Sequence, residues 1–68
     1  MKQRELVRQI ARAAKANGMT FELVRSGKHD VYSLDGLTIP IPRHKEISEG
    51  LASEIRKECE EKLGRRWW

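Results

Sequence analysis

The chain is poor in the residues that cross-link very small proteins. It has one cysteine, Cys59, in 68 residues, so no disulfide can form within the chain and nothing indicates an oxidising compartment. A metal site would need His29, His44 and Cys59 to converge, and their spacing is not that of a zinc site. A chain this short is near the lower limit for folding on its own core. We expect one domain over residues 1–68, with residues 65–68 as a C-terminal tail, and neither metal nor cofactor.

Long apolar runs are also absent. The N-terminal stretch MKQRELVRQIARAAK is charged from its second residue onward, and it holds no apolar run long enough for a signal peptide or a membrane span. Fourteen basic and ten acidic side chains give a net charge of +4, a mild preference for a polyanionic partner. There is no Gly-rich phosphate loop and no pair of acids suited to glycoside chemistry. We therefore expect a cytoplasmic protein with no membrane contact.

Helical periodicity is present at both ends of the sequence. Apolar residues at three- and four-residue spacing predict a first helix that ends at Asn17-Gly18, where glycine tolerates the left-handed conformation. A second helix is predicted after Ser48, a residue type favoured at helix N-termini, and Gly64 is a natural stop. Its apolar stripe runs through Leu51, Ile55, Cys59 and Leu63, which favours a core role for Cys59 over a nucleophile.

Three strand-like segments, MTFELVR, KHDVYSL and LTIPI, lie between the two helices. In the first, Phe21, Leu23 and Arg25 alternate with the intervening residues, as in a regular strand. Asp35-Gly36 favours a two-residue hairpin turn with positive φ, and Pro40 places the third strand at a sheet edge. Which face of the second strand is buried stays open, because two apolar neighbours point opposite ways. The order predicts a small α+β domain, α-β-β-β-α, with a three-stranded antiparallel sheet and both helices on one face.

Two histidines stand in basic surroundings. His29 follows Gly27-Lys28 at a strand start, where glycine allows close approach of a ligand and lysine supplies a cation beside a proton-transfer group. The alternative is a strand-end histidine with an ordinary hydrogen bond, and the local sequence alone favours that alternative. Arg43-His44-Lys45 precedes the second helix, where free N–H groups favour phosphate. A solvated basic loop is an equal alternative there.

The tryptophans at the end of the chain are a further candidate. Trp67 and Trp68 follow two arginines, and such rings can stack on nucleic-acid bases. Packing against the domain itself, or against a protein partner, is the more common use of such a pair.

The combination of several short segments resembles the HicA toxins of bacterial type II toxin–antitoxin systems. These segments are MKQREL, GMTFELVR, GKHDVY and IPRHKEI, followed by a second helix, and the resemblance extends from Lys2 to about Leu63. It implies a fold similar to double-stranded-RNA-binding domains, ribonuclease activity on mRNA, and a partner antitoxin of the HicB type. The histidine that the family uses follows a Gly-Ser or Gly-Thr pair and precedes an aromatic residue by three positions. In this chain that histidine is His29, and the aromatic residue is Tyr32.

The resemblance, together with the basic surroundings of His29, implies a metal-independent endoribonuclease in which His29 transfers protons. Arg25, Gly27 and Lys28, with Arg43, His44 and Lys45, are the predicted RNA-binding residues. The second proton-transfer group stays open between His44 and Tyr32.

Lys28 stands where the family usually has a hydroxyl, and this difference keeps two alternatives open. One is a non-catalytic RNA-binding module, and the other is an inactive toxin remnant that retains only antitoxin binding.

Overall fold

The order of the elements is the predicted one, and the α+β class is confirmed. The computed structural model describes residues 1–68. The elements are α1 (Gln3–Ala16), β1 (Phe21–Ser26), β2 (His29–Leu34), β3 (Leu37–Pro42) and α2 (Glu49–Leu63). Neither helix has the length and apolar character needed to cross a membrane.

The three strands form an antiparallel sheet in the order β1-β2-β3. β3 is therefore an edge strand, as Pro40 predicted, since proline has no N–H for a further neighbour. The β2–β3 turn has Asp35 at φ 50° and Gly36 at φ 93°. Positive φ at both central residues is what a tight hairpin turn matching the sheet twist requires, so the prediction from Asp-Gly is confirmed.

The register of the sheet decides which face of β2 is buried. Tyr32 lies opposite Ile39, and Val31 lies opposite Pro40. Ile39 is fully buried, and Tyr32 stacks on Phe21 with ring centroids 4.7 Å apart. Directly paired residues share a face of the sheet, so the Tyr32 face is the one covered by the helices. Val31 lies on the opposite, uncovered face.

A single apolar cluster joins the helices to this covered face. Both helices contribute the stripes that their periodicity predicted, with Ser48 capping α2 by accepting a hydrogen bond from the Leu51 N–H at 3.2 Å. The cluster has 11 buried residues: Leu6, Ile10, Ala14, Leu34, Ile39, Ile41, Ile47, Ala52, Ile55, Cys59 and Leu63.

β1 departs from the regular alternation expected of it. Leu23 pairs with Tyr32, but Arg25 pairs with Val31, so Val24 is an extra residue in the ladder. This β-bulge moves Arg25 onto the uncovered face, whereas strict alternation had placed it on the same face as Phe21 and Leu23. The expectation that Arg25 shares a face with Phe21 and Leu23 was therefore wrong. The bulge places this cation on the same face as Val31, near the start of β2.

The segment between β3 and α2 runs beside the start of α1. The Gln3 N–H donates to the Lys45 carbonyl at 3.0 Å, and the Ile47 N–H donates to the Met1 carbonyl at 2.7 Å. Arg43, His44 and Lys45 thus lie next to the first turn of α1 as well as ahead of α2.

Candidate active site

A surface groove of about 680 Å³ lies where the β3 edge of the sheet meets α2. Its sheet side carries Arg25, Lys28 and His29 together with Val31 and two prolines, Pro40 and Pro42. Its helix side carries Leu51, Glu54, Ile55 and Glu58. The groove therefore has apolar residues on both sides, basic groups on the sheet side and acidic groups on the helix side.

His29 is the first residue of β2 and pairs with Pro42, the last residue of β3. The register places it on the uncovered face with Val31, and its side chain is exposed. None of the side-chain hydrogen bonds or ion pairs in the chain involves its imidazole. Both ring nitrogens are thus available to a ligand in the groove, and the alternative of an ordinary structural hydrogen bond has no partner here.

Two cations lie beside this imidazole. Arg25 reaches the groove because the bulge at Val24 turns it onto the uncovered face, and Lys28 lies in the turn between β1 and β2. Neither is within ion-pair distance of a carboxylate. Gly27 also lines the groove, with open space where a β-carbon would stand. This end of the groove therefore presents positive charge that is free of ion pairs, next to a position that has no side chain.

Asp30 holds the strand end in place from the covered side. Its carboxylate accepts hydrogen bonds from Gln3 Nε2 at 3.1 Å and Ser26 Oγ at 3.0 Å, and it lies 3.3 Å from Arg43 Nε. The Asp30 side chain is 16% exposed, so these contacts are partly shielded from water. One carboxylate thus joins α1, β1 and the segment after β3 directly behind His29.

Arg43 connects the two groups of predicted RNA-binding residues. Besides Asp30, its guanidinium donates from Nη1 to the Gly27 carbonyl at 3.3 Å. His44 and Lys45 line a neighbouring surface with Gln3 and do not line the groove. Arg25, Gly27, Lys28 and His29 are therefore brought together in the groove, while the Arg43-His44-Lys45 cluster forms a basic surface next to it.

Neither residue considered for the second proton transfer lines the groove. Tyr32 faces the helices, where burial, and after it the charge of Asp30, raises the pKa of its phenol. His44 lies on the adjacent surface. The acid–base groups that do line the groove with His29 are Glu54 and Glu58, one helical turn apart on α2. The sequence predicts that Glu54 and Glu58 share a face of α2, but it does not predict which part of the sheet that face approaches.

Cys59 is fully buried in the apolar cluster. Burial, with a smaller contribution from the neighbouring Glu58 carboxylate, raises the pKa of its thiol to about 12. A thiol with so high a pKa is neutral at physiological pH and is a poor nucleophile. No group of three or more His, Cys, Asp or Glu side chains converges to hold a metal ion.

The family described as the HicA toxin of bacterial toxin–antitoxin systems matches residues 4–60 of this chain. Those residues include the groove, the basic surface beside it and most of α2, but not the tail. Comparisons with curated proteins and with solved structures found no match.

Proposed function

Because the chain belongs to the HicA family of toxins from bacterial toxin–antitoxin systems, we propose that it is a metal-independent endoribonuclease that cleaves mRNA in the groove around His29. The observation that carries this proposal is the free imidazole of His29 in an open groove that two unpaired cations, Arg25 and Lys28, also line. A groove that is open along the surface suits a polymeric substrate that passes through it.

The reaction proposed is attack of a ribose 2′-oxygen on the adjacent phosphorus. The 2′-OH proton passes to a base, the new O2′–P bond forms, and the P–O5′ bond breaks as an acid donates a proton to the leaving 5′-oxygen. His29 takes one of these two roles. Positioned proton transfer of this kind contributes about 10²- to 10⁴-fold to a rate.

Glu54 or Glu58 is the best-supported candidate for the other proton transfer. Both carboxylates line the groove on the side opposite the basic residues, and neither is committed to an ion pair. A carboxylate acting as base on the 2′-OH leaves the imidazolium of His29 as the acid for the 5′-oxygen. This pairing gives each proton a donor and an acceptor from the same groove.

Negative charge that builds on the phosphate oxygens needs cations nearby. Arg25 and Lys28 are placed for this in the groove, where they can favour the transition state over the bound substrate. Lys28 takes the position of the hydroxyl that HicA toxins usually have, and we propose that its charge substitutes for that hydrogen bond. Arg43, His44 and Lys45 would bind the RNA backbone beyond the cleavage point.

A cognate antitoxin of the HicB type would inhibit the enzyme by covering the groove. An exposed groove on so small a domain leaves an inhibitor few other places to bind. The edge strand β1 adds exposed apolar area near Arg25, since Leu23 is 51% exposed and Val24 is 58% exposed. This apolar area is a favourable contact for a protein that covers the groove.

The test is single-turnover cleavage of a model RNA by purified His29→Ala protein whose fold is verified by circular dichroism. We expect cleavage to fall by about 10²- to 10⁴-fold, with the melting temperature little changed because His29 is exposed and outside the core. His44→Ala is the matched control and should retain most of the cleavage rate. Chelator should change nothing in either protein.

The Glu54→Gln and Glu58→Gln variants identify the second proton-transfer group. Each keeps the shape of the side chain and replaces the basic carboxylate with an amide. Cleavage at the wild-type rate by folded His29→Ala would remove His29 from the mechanism. RNA binding without cleavage by the wild-type protein would instead support the non-catalytic RNA-binding module. The absence of both, with antitoxin binding retained, would identify an inactive toxin remnant.

A further inference from the structure

The C-terminal tail folds back onto the helices instead of extending away from α2. Gly64 at φ 91° and Arg66 at φ 55° both have positive φ, so the chain leaves the helical path at these two residues. The Arg66 N–H donates to Glu60 Oε2 at 3.0 Å, and the Trp67 indole N–H donates to the Arg56 carbonyl at 2.8 Å. The tail thus has a defined position on the domain.

Arg56, whose carbonyl accepts the Trp67 hydrogen bond, also connects α2 to α1. Its Nε donates to Gln9 Oε1 at 2.9 Å, across the two helices. Trp67 also packs against the apolar cluster, while the ring of Trp68 meets Trp67 edge to face with centroids 5.7 Å apart. Trp67 is therefore a structural residue that holds Trp68 in place.

Trp68 remains 43% exposed and lines a surface with α1. We call this the tail surface, and define it by Arg8, Arg12, Trp67 and Trp68. Arg8 and Arg12 are one helical turn apart, both are exposed, and neither is within ion-pair distance of a carboxylate. None of the residues lining the His29 groove lines this surface.

We propose that the tail surface is a second RNA-binding site, in which an unpaired base stacks on Trp68 and the flanking phosphates bind Arg8 and Arg12. The site rests on the proposed function in one respect, namely that RNA is the ligand. Aromatic rings beside a basic groove are the common arrangement for binding single-stranded nucleic acid, because every base has a face to stack. Among the residues that line the same depression as Trp68, Glu5 is the one acidic side chain beside Arg8 and Arg12, so the side chains present net positive charge to a polyanion.

The dimensions of the domain allow one RNA strand to reach both sites. The longest extent of the protein is 27 Å. About eight nucleotides of stacked strand, at about 3.4 Å each, cover that distance. The tail surface would therefore hold substrate RNA at a distance from the cleavage point, which raises affinity without touching the reacting phosphate.

The experiment measures binding of an unstructured single-stranded RNA of about 12 nucleotides. Every protein carries His29→Ala, so that the RNA stays intact. Adding Trp68→Ala should weaken binding about 5- to 150-fold, whereas Trp68→Phe keeps an aromatic face and should retain most of the affinity. Trp68 fluorescence should be quenched on binding, and the quenching should be lost in both variants.

The arginines are tested by salt dependence. Replacing Arg8 and Arg12 with Ala should make the slope of log K against log salt shallower by about 1.4, since each phosphate contact to a single strand contributes about 0.7. The matched control replaces Lys15 and Lys57 with Ala. It removes the same charge from α1 and α2 outside the tail surface, and the slope should change far less.

RNA affinity unchanged by both Trp68→Ala and the arginine pair would overturn the inference. If the same variants weakened antitoxin binding instead, the tail surface would be a protein interface. Cleavage by the otherwise unaltered protein is measured separately. Trp68-dependent RNA binding without any cleavage would refute the ribonuclease proposal and leave the tail site standing, while cleavage with no Trp68 dependence of binding would refute the tail site alone.

Discussion

Removal of the Asp30 carboxylate is the most informative test of how the groove is held together. Three donors from three parts of the chain, Gln3, Ser26 and Arg43, converge on this one side chain. Asp30→Ala deletes all three contacts, and neither the Asp30 side chain nor any of its three partners lines the groove. The variant therefore loosens the strand end that carries His29 and leaves the imidazole and the other groove side chains unchanged.

The expected loss follows from the exposure of each partner. The contact with Gln3 is partly buried and contributes about 1 kcal/mol, as a typical hydrogen bond does. The Ser26 contact is exposed and contributes about 0.5 kcal/mol. The Arg43 side chain is 57% exposed, so solvent screens the ion pair to about 0.5 kcal/mol. The sum is about 2 kcal/mol, against about 3 to 10 kcal/mol for the whole of a domain of this size.

Thermal unfolding followed by circular dichroism measures this loss. About 2 kcal/mol corresponds to a fall of about 8 to 16 °C in Tm for so small a domain. Glu61→Ala, an exposed carboxylate on α2 with no ion pair, is the control and should move Tm by no more than a few degrees. A double-mutant cycle with Arg43→Ala should give a coupling of about 0.2 to 1 kcal/mol. A Tm of Asp30→Ala equal to that of the control would refute the supporting role.

Two further predictions concern the core and the hairpin. The Cys59 thiol, with its pKa raised to about 12, should resist thiol reagents in the native protein at pH 8 and react once denaturant is added. Because the thiol ionises at a lower pH in the unfolded chain, the folded state should also lose stability as pH rises from about 9 towards 12. Rapid labelling of the native protein at pH 8 would contradict the raised pKa and therefore both expectations. Gly36→Ala should destabilise by about 1 to 2 kcal/mol in chemical denaturation, because φ is 93° although there is room for a β-carbon. Gly50→Ala, in the first turn of α2, also has room and lacks the positive φ, so an equal loss there would argue against a backbone cause.

Elements fixed by short-range chemistry were predictable from the sequence. The Ser48 cap, the Asp35-Gly36 turn and the helix stop at Gly64 each depend on residues close in the chain, and all three are present. The edge position of β3 follows from the missing N–H of Pro40 in the same way. Local propensity and tertiary structure agree at these positions, which is characteristic of foldable sequences.

The bulge at Val24 was not predictable, because nothing in the local sequence distinguishes it from a regular strand. Its presence is a matter of register between β1 and β2, which tertiary packing decides. One extra residue nevertheless changes the face on which Arg25 lies, and with it the charge of the groove. The same limit applies to Glu54 and Glu58, whose relation to His29 depends on how α2 packs against β3.

Arg43 has structural contacts that its sequence context did not predict. Its basic neighbours predicted a phosphate contact, but two of its N–H groups already bind Asp30 and the Gly27 carbonyl. A guanidinium has five N–H donors, so three remain for RNA. Arg43→Ala would thus combine a lost phosphate contact with a loosened strand end, and its effect on cleavage would overstate its part in binding. Lys45 makes no side-chain contact of that kind, so its replacement gives the cleaner measure of what this basic surface contributes to RNA affinity.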